Sequence, residues 1–570
     1  MSTYSLTLRT DKGSKLTQQE LDNNFLYVLE NSSGGSVDID HTQVAFGSTS
    51  SGLTSSEHFT FDKNQINLII GLSHSVVGTV SNSVILGGYS NSFILISSTG
   101  SATFSDANSI FNSSIIGGCY NTIQYSSHSS IVAGACNSII GISDSVDDCS
   151  PNYNTILGGC CNLICKSDYS SIIGGGSNAI IGYDGDYSAI LVGRYNTISD
   201  CAEDSVILGG CYNSICYDTQ ANGIIGGACN KIENCSHGSV ILGGCCNTLS
   251  NCSKYSSIIG GCCNTLSNNS KYSSIIGGEC NTLSGTSSNS SIIGGRCNTI
   301  SYFSRYSSII GGCCNELNYY SCYSSIIGGY RNNISFSSDY ASVIGGCCNR
   351  ICNGSDHSGI FSGGWNKIQD SEKSVVLGGN NNHICEYSER SGVLSGRCNQ
   401  IRDYSCYATI VGGCRNISND SCQSSIIGGD DNTLCYTTGS SIVGGSCNEI
   451  AGTSSYSSII GGQFNTVSCY SYNSSIIGGQ FNTLNCSSFN SSIIGGLSNT
   501  IGSQSCNSII LGGNNLTLNG QCNTSLTQHL WIAGSVSPNN GTNFGINGDF
   551  YVSGFGTFSI NNGIIVNIIN

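Results

Sequence analysis

The stretch Ser256-Ser-Ile-Ile-Gly-Gly-Cys-Cys-Asn-Thr-Leu266 decides the fold, because Ser273-Ser-Ile-Ile-Gly-Gly-Glu-Cys-Asn-Thr-Leu283 repeats it 17 residues later. Asn marks the register: Asn196, Asn213, Asn230, Asn247, Asn264, Asn281 and so on to Asn366 are spaced by 17, each with Gly three residues before it. Steps of 16 or 17 carry the series on to Asn499, and it reaches back through Asn178, Asn162, Asn137 and Asn121 to Asn91. Helical repeats need about 33 to 47 residues per unit and propeller blades about 40 to 45. A unit of this size instead suits one coil of a parallel β-solenoid, a β-roll or β-helix of about 25 coils in an all-β chain. At ~4.8 Å per coil, the coils between Asn91 and Asn499 predict a rod on the order of 115 Å long.

Each residue type has a place in such a coil. Ser-Ser-Ile-Ile is a short β-branched strand. The Gly pair takes corner dihedrals closed to other residues, and Asn tolerates the left-handed region. The pairs Gly210/Asn213, Gly227/Asn230, Gly244/Asn247, Gly261/Asn264 and Gly278/Asn281 are therefore read as structural, with the Asn amides stacked into a ladder. Successive strand residues face opposite ways, so Ile258 and Ile259 cannot both point inward. One Ile column is expected outside as a long apolar stripe, which marks an interaction surface. Self-association about the rod axis follows, with an intertwined or side-by-side homotrimer preferred.

Composition closes off other classes. The 570 residues include 76 Gly, 35 Cys and 2 Pro, with 9% charged residues and a net charge of −15. Collagen triplets are absent, and an apolar fraction of 38% is too high for a disordered linker. With 19 Lys+Arg there is no basic footprint for nucleic acid or anionic membrane, so neither is expected as a partner. Neither a catalytic nor a cofactor motif is visible: the eight His are scattered, and no Gly-rich phosphate loop joins strand to helix. The chain reads as non-enzymatic, with a Ser/Asn coat on the rod.

Of the 35 Cys, 19 occupy the two positions before the register Asn. Three readings compete, in this order: small buried filler of a narrow column, disulfides between coils, and a metal site. Tyr255, Tyr272, Tyr306, Tyr323 and Tyr340 recur at one phase, either covering neighbouring coils or offering a glycan-stacking surface. The period breaks at 91–121 and 137–162. The second break carries Asp144, Asp147, Asp148 and Pro151, read as a solvated acidic turn ahead of a Ca²⁺ loop.

The ends differ from the shaft. Thr17 to Glu20 forms a capping box, and Leu21, Phe25, Val28 and Leu29 recur at helical spacing, predicting a short helix over about 17–30. Met1 to Gly13 is polar and reads as no secretory signal, so assembly in a host cytoplasm with reduced thiols is expected. The division expected is an attachment segment (1–33), a β-rich connector (34–79), the repeat shaft (80–518) and a β-rich cap or tip (519–570). Trp531, Phe550, Tyr551 and Phe555 mark that tip.

Two resemblances follow from these residues. The shaft resembles the head repeats of YadA-like trimeric adhesins, which are trimers of left-handed parallel β-rolls. It departs from them in its longer period, doubled Gly and heavy Cys usage. The stretch Gly13-Ser-Lys-Leu-Thr-Gln-Gln-Glu-Leu-Asp-Asn-Asn-Phe25 resembles the opening of tail-fibre and fibre-like proteins of phages and large DNA viruses. There it lies at the virion-proximal end, which implies attachment through Leu16, Thr17, Glu20, Leu21, Asp22, Asn24 and Phe25. Segments in 37–70 are similar to the β-strand connector of such fibres, and 550–558 to their tip modules. The resemblance implies a virion-surface fibre, held by a baseplate or capsid component and reaching a host glycan or protein. A self-assembling extracellular filament or adhesin, and an ice-binding solenoid using the Asn-Thr pairs, are the alternatives.

Overall fold

The computed structural model describes residues 43–48, 52–62, 67–77, 80–94, 110–141, 152–182, 186–527, 548–552, 556–561 and 564–569. The chain is all-β, a parallel β-solenoid of about 25 coils with a period near 17 residues, and it divides into two compact units, Met1–Gly444 and Gly445–Asn570. The attachment segment and its helix, the tip residues Trp531 and Phe555, and the inserts with Asp144, Asp147 and Asp148 lie outside the described residues.

In the first unit the strands Gln43–Ser48, Gly52–Asp62 and Asn67–Leu72 pair antiparallel in sequence. The third then pairs in parallel with Val84–Tyr89 and starts the solenoid. From there every coil repeats one plan. Ser257–Ile259 stacks on Ser274–Ile276, and Thr265–Leu266 stacks on Thr282–Leu283, both parallel and in register. Between the two strands Cys262 pairs with Cys245 and Glu279 as a single-residue bridge. An arm, residues 267–272, returns the chain to the next coil. The second unit continues this plan from Ser458–Ile460 to Ser525–Leu526 and also holds an antiparallel meander of Gly548–Val552, Gly556–Asn561 and Ile564–Ile569.

Ile258 and Leu266 are fully buried, whereas Ile259 is 41% exposed. The adjacent isoleucines therefore part as strand geometry requires. Two aliphatic side chains per coil make a thin apolar core, and the rest of the interior is polar. Asn264 is fully buried, and so are Ser253 and Ser256. The Ser-rich arm is thus partly interior, which corrects the expectation that its serines only coat the surface.

These buried polar residues form three ladders. The Asn264 side-chain Oδ1 accepts the main-chain N–H of Asn281 at 3.0 Å, while its Nδ2 donates to the Gly260 and Gly278 carbonyls at 3.4 and 3.2 Å. The ladder is thus largely side chain to backbone, not the amide-on-amide stack expected; Asn162 and Asn178 also donate to the Asn before them. Ser256 Oγ accepts the Ser273 N–H at 3.1 Å and donates to the Ser270 carbonyl at 3.2 Å. Ser253 Oγ accepts the Ser270 N–H at 3.2 Å. At a corner the N–H of one coil is out of line with the sheet, and a buried unpaired donor costs about 1–3 kcal/mol. The preceding coil's side chain supplies the acceptor.

The corners turn on left-handed residues. In one coil Gly260, Gly261, Cys263, Asn268, Asn269 and Tyr272 all have φ between +55° and +81°. The two glycines of the pair are not equivalent. A Cβ on Gly278 would lie 2.4 Å from the Gly295 carbonyl and from Asn281 Nδ2, whereas a Cβ on Gly277 meets nothing within 4 Å. The sequence follows the geometry: Ala133, Val192, Ser362 and Ser395 replace the first Gly, and nothing replaces the second from Gly88 to Gly513.

The first Asn of the series rests on a different residue. His74 occupies the register position one coil before Asn91, and its Nδ1 accepts the Asn91 N–H at 3.2 Å while Nε2 meets the Ile70 carbonyl at 3.2 Å. Burial holds the His74 imidazole below its ordinary value, against the opposing pull of the Ile70 carbonyl. In the second unit Leu516 takes the register position, and its N–H still bonds to Asn499 Oδ1 at 3.0 Å. Leu516 has no side-chain acceptor to pass on.

Two outcomes follow. Gly278→Ala should destabilise its coil by more than about 3 kcal/mol and Gly277→Ala by about 1 kcal/mol. Hydrogen exchange over residues 257–300 reads the difference, and equal loss of protection would contradict it. For His74 the folded pKa lies below the unfolded one, so the unfolded state binds the proton more tightly. The stability that neutral His74 contributes is present above about pH 6.5 and is lost as pH falls through the folded value. Protection factors over residues 84–94, corrected for the pH dependence of intrinsic exchange, should fall between pH 7 and pH 5, and His74→Asn should remove that fall.

Candidate functional site

Inward positions are uniform, so differences that can carry function lie on the outward columns. One is the column of Ile259. In every coil from Leu86 to Leu511 it holds Ile, Leu, Val or Phe. Ile276, Ile293, Ile310 and Ile327 in the first unit and Ile460, Ile477 and Ile494 in the second are about two-fifths exposed. Beside it runs the first-Gly column, open above its Cα atoms. The five positions from Ser257 to Gly261 hold no charged residue in any coil from Val84 to Gly513. The result in each unit is an uncharged aliphatic ridge with a glycine furrow along it, on the outer face of a parallel sheet.

The thiols also lie outside. Cys229, Cys246, Cys263, Cys280 and Cys297, next to the register Asn in successive coils, are all exposed. Their left-handed backbone turns the side chain away from the lumen, so the reading of this column as buried filler is overturned. Among the described residues Cys216 and Cys352 are the buried exceptions, and they sit at strand ends. Adjacent thiols touch: Sγ of Cys245 and Cys246, of Cys262 and Cys263, and of Cys313 and Cys314 are each 3.3 Å apart. Cys160/Cys161 and Cys347/Cys348 approach to 3.1 Å. Contact with Cys245, with burial and the neighbouring sulfurs adding to it, pushes the Cys246 thiol up to about 12. Among the described residues no group of three or more His, Cys, Asp or Glu is placed to hold a metal ion.

The tyrosines at the arm corner form stacks. Tyr255 and Tyr272 lie 5.3 Å apart at 11°, and Tyr306, Tyr323 and Tyr340 follow one another at 4.8 Å and 4°. His357 closes the second stack at 4.8 Å. A second file, Tyr302, Tyr319 and Phe336, is spaced by 4.7 and 4.8 Å. A sugar stacks on an aromatic face, and inside these files both faces are taken by neighbouring rings. Edges and hydroxyls remain exposed along the file, and open faces only at its ends, as at Tyr272 and Tyr306, which both adjoin Asn289.

The remaining assignments fall as follows. Asn213, Asn230, Asn247 and Asn264 form the buried ladder, and Gly210, Gly227, Gly244 and Gly261 are the close-approach glycines beside it, themselves exposed or half-buried. Phe550 and Tyr551 lie on the strand Gly548–Val552. The outward Thr column runs through Thr248, Thr265, Thr282 and Thr299, then passes to Glu316, Asn333, Arg350 and Lys367. Reading the sequence missed the two Ser ladders and the start at His74. The Ser-x-x-Ser spacing of the arm and the 17-residue step from His74 to Asn91 are the signals that were there to find. Compared with known proteins, the chain matches no family model and no curated protein.

Proposed function

We propose that the chain is a non-enzymatic structural fibre protein whose shaft assembles with further copies of itself, as a homotrimer, through the aliphatic ridge. The observation that carries this is the unbroken outward aliphatic column on an uncharged face. Full burial of such a side chain is worth roughly 1.5–3 kcal/mol, so two-fifths exposure leaves on the order of 1 kcal/mol per coil. Association costs about 4–15 kcal/mol, and a contact running over more than a dozen coils exceeds that. The occupant must repeat with the rise of these coils to meet the ridge at each one, and another copy of this chain does.

On the reading from residues 13–25, the fibre belongs to a virion, is held at its surface by a baseplate or capsid component through residues 1–33, and serves attachment to a host glycan or protein. Support for this is the resemblance of the opening motif alone; support for self-association is the ridge. The two are tested separately. Sedimentation of the full chain should give three times the 59.3 kDa chain mass. Ile276→Asp with Ile293→Asp and Ile310→Asp should shift it to the single-chain mass without loss of β-structure. A wild-type chain that sediments at 59.3 kDa overturns the assembly. Immunolabelling of purified virions tests the location, and failure to find the chain there would leave the assembly intact and remove the virion.

A further inference from the structure

Thiols meet across coils at several unrelated phases of the repeat. Cys245 and Cys262 are directly paired residues on successive coils. Cys246 and Cys263 follow them, so four sulfurs of two coils share one patch. On the arm, Cys235 and Cys252 hold the same place on successive coils, each donating its main-chain N–H to the coil before. Cys406 and Cys422 are related in the same way, with the Gln423 N–H bonded to the Cys406 carbonyl at 2.8 Å. In the second unit Cys469 and Cys486 stand one coil apart, the Ser487 N–H bonding to the Cys469 carbonyl at 2.7 Å, and Cys522 Sγ accepts the Cys506 N–H at 3.4 Å. A coil that needed only a small side chain at one corner would keep Cys to one column. Here the partners recur in register at separate corners, 16 or 17 residues apart.

The geometry suits a covalent bond. Parallel in-register strands stand about 4.8 Å apart, inside the ~4.4–6.8 Å Cα separation that a disulfide accepts. Most of these sulfurs are exposed or half-exposed, so a small oxidant reaches them. Bonding within a Cys-Cys dipeptide would instead close a strained ring. It would also pull Cys262 from its bond to the Gly278 carbonyl, made at 2.9 Å.

We propose that the stacked cysteines are cross-linking sites, at which a small-molecule disulfide such as oxidised glutathione converts thiol pairs one coil apart into disulfide clips. The thiolate of one cysteine attacks the glutathione disulfide, forming a mixed disulfide and releasing one glutathione thiolate. The sulfur of the stacked cysteine then attacks the protein-side sulfur and displaces the second glutathione. Two protein thiols are oxidised, one glutathione disulfide is reduced to two thiols, and the two protons go to solvent or to the released thiolates. Contact with Asp218 pushes the Cys235 thiol up to about 11, and contact with Cys263 does the same for Cys262. The pairs therefore persist as thiols near neutral pH in a reducing compartment, and closure quickens as pH rises. The inference rests on coil stacking and is independent of what the fibre binds.

The test uses the full chain, purified reduced, treated with oxidised glutathione at pH 8, alkylated and mapped by mass spectrometry without reduction. Cross-linked peptides should join Cys235 to Cys252 and Cys469 to Cys486, and connect the 245/246 pair to the 262/263 pair. Both thiols of each pair should be lost. Amides of a clipped coil should exchange about a hundredfold more slowly, as expected for closing a loop of this size. Cys252→Ser should leave Cys235 carrying glutathione, with the Cys469–Cys486 link still formed. Persistent glutathione adducts at both members of the wild-type pairs would overturn the proposal. So would links within Cys-Cys dipeptides, or links between cysteines that are not one coil apart.

Discussion

One contact governs the coil: the carbonyl of a glycine passing within reach of the glycine and the asparagine amide of the coil before. Gly261 has no Cβ, so the Gly278 carbonyl can approach the place where one would stand and accept from Asn264 Nδ2 at 3.2 Å. Asn264 Oδ1 is then aimed at the Asn281 N–H. Any larger residue at the glycine would push the two coils apart and release both bonds together. The strictness of that column and the tolerance of the one before it share this origin. A glycine needed only for its dihedral can be replaced at a cost near 1 kcal/mol, and one needed for its missing Cβ cannot.

The interior explains why such contacts must repeat. Ile258 and Leu266 alone could not stabilise a domain, and each coil contacts only its neighbours. Asn264, Ser253 and Ser256 answer the corner N–H groups that the two sheets leave over, without drawing on water. Buried polar residues here add little driving force, since a typical hydrogen bond nets about 0.5–1.5 kcal/mol. Their larger effect is against alternatives: slipping one coil by a residue would leave three buried donors unpaired at once. Register, more than gross stability, is what the ladders enforce. Substitution of His74 at the start of the Asn series keeps the acceptor and adds a titration that Asn lacks.

How much of this was legible depended on whether a residue's role was local or relational. The period, the strand, the two-faced isoleucines and the glycine corners could be read because strand alternation and left-handed backbone are local properties; the register Asn was expected in the left-handed region as well, and there the residue before it, such as Cys263, takes that conformation instead. The cysteines misled for an instructive reason. Cys is usually buried, and that tendency describes side chains with no backbone constraint; at Cys263 the positive φ turns the thiol outward whatever its polarity. Serine misled in the other direction. Ser256 is buried because its hydroxyl both accepts from and donates to the next coil, a pairing that exists only once coils stack. The tyrosines were recognised as a column, but not that each ring would spend its faces on its neighbours. The N-terminal motif and the tip residues carry the functional reading and gain nothing from the coil geometry.

The outward columns therefore divide the work along the repeat. An aliphatic ridge on an uncharged sheet face offers the same small contact at every coil, and such a contact becomes strong only when the partner has the same rise. The proposed self-assembly meets that condition, whereas a globular partner could engage a few coils and gain a few kcal/mol at most. The aromatic files are poorly suited to the converse task. Their interior faces are closed by stacking, so a glycan would find row upon row of hydroxyl edges and a full ring face only where a file ends. Recognition with any selectivity has to come from places where the repeat is interrupted, because a surface that repeats every 17 residues presents the same choice at each coil and discriminates nothing along its length.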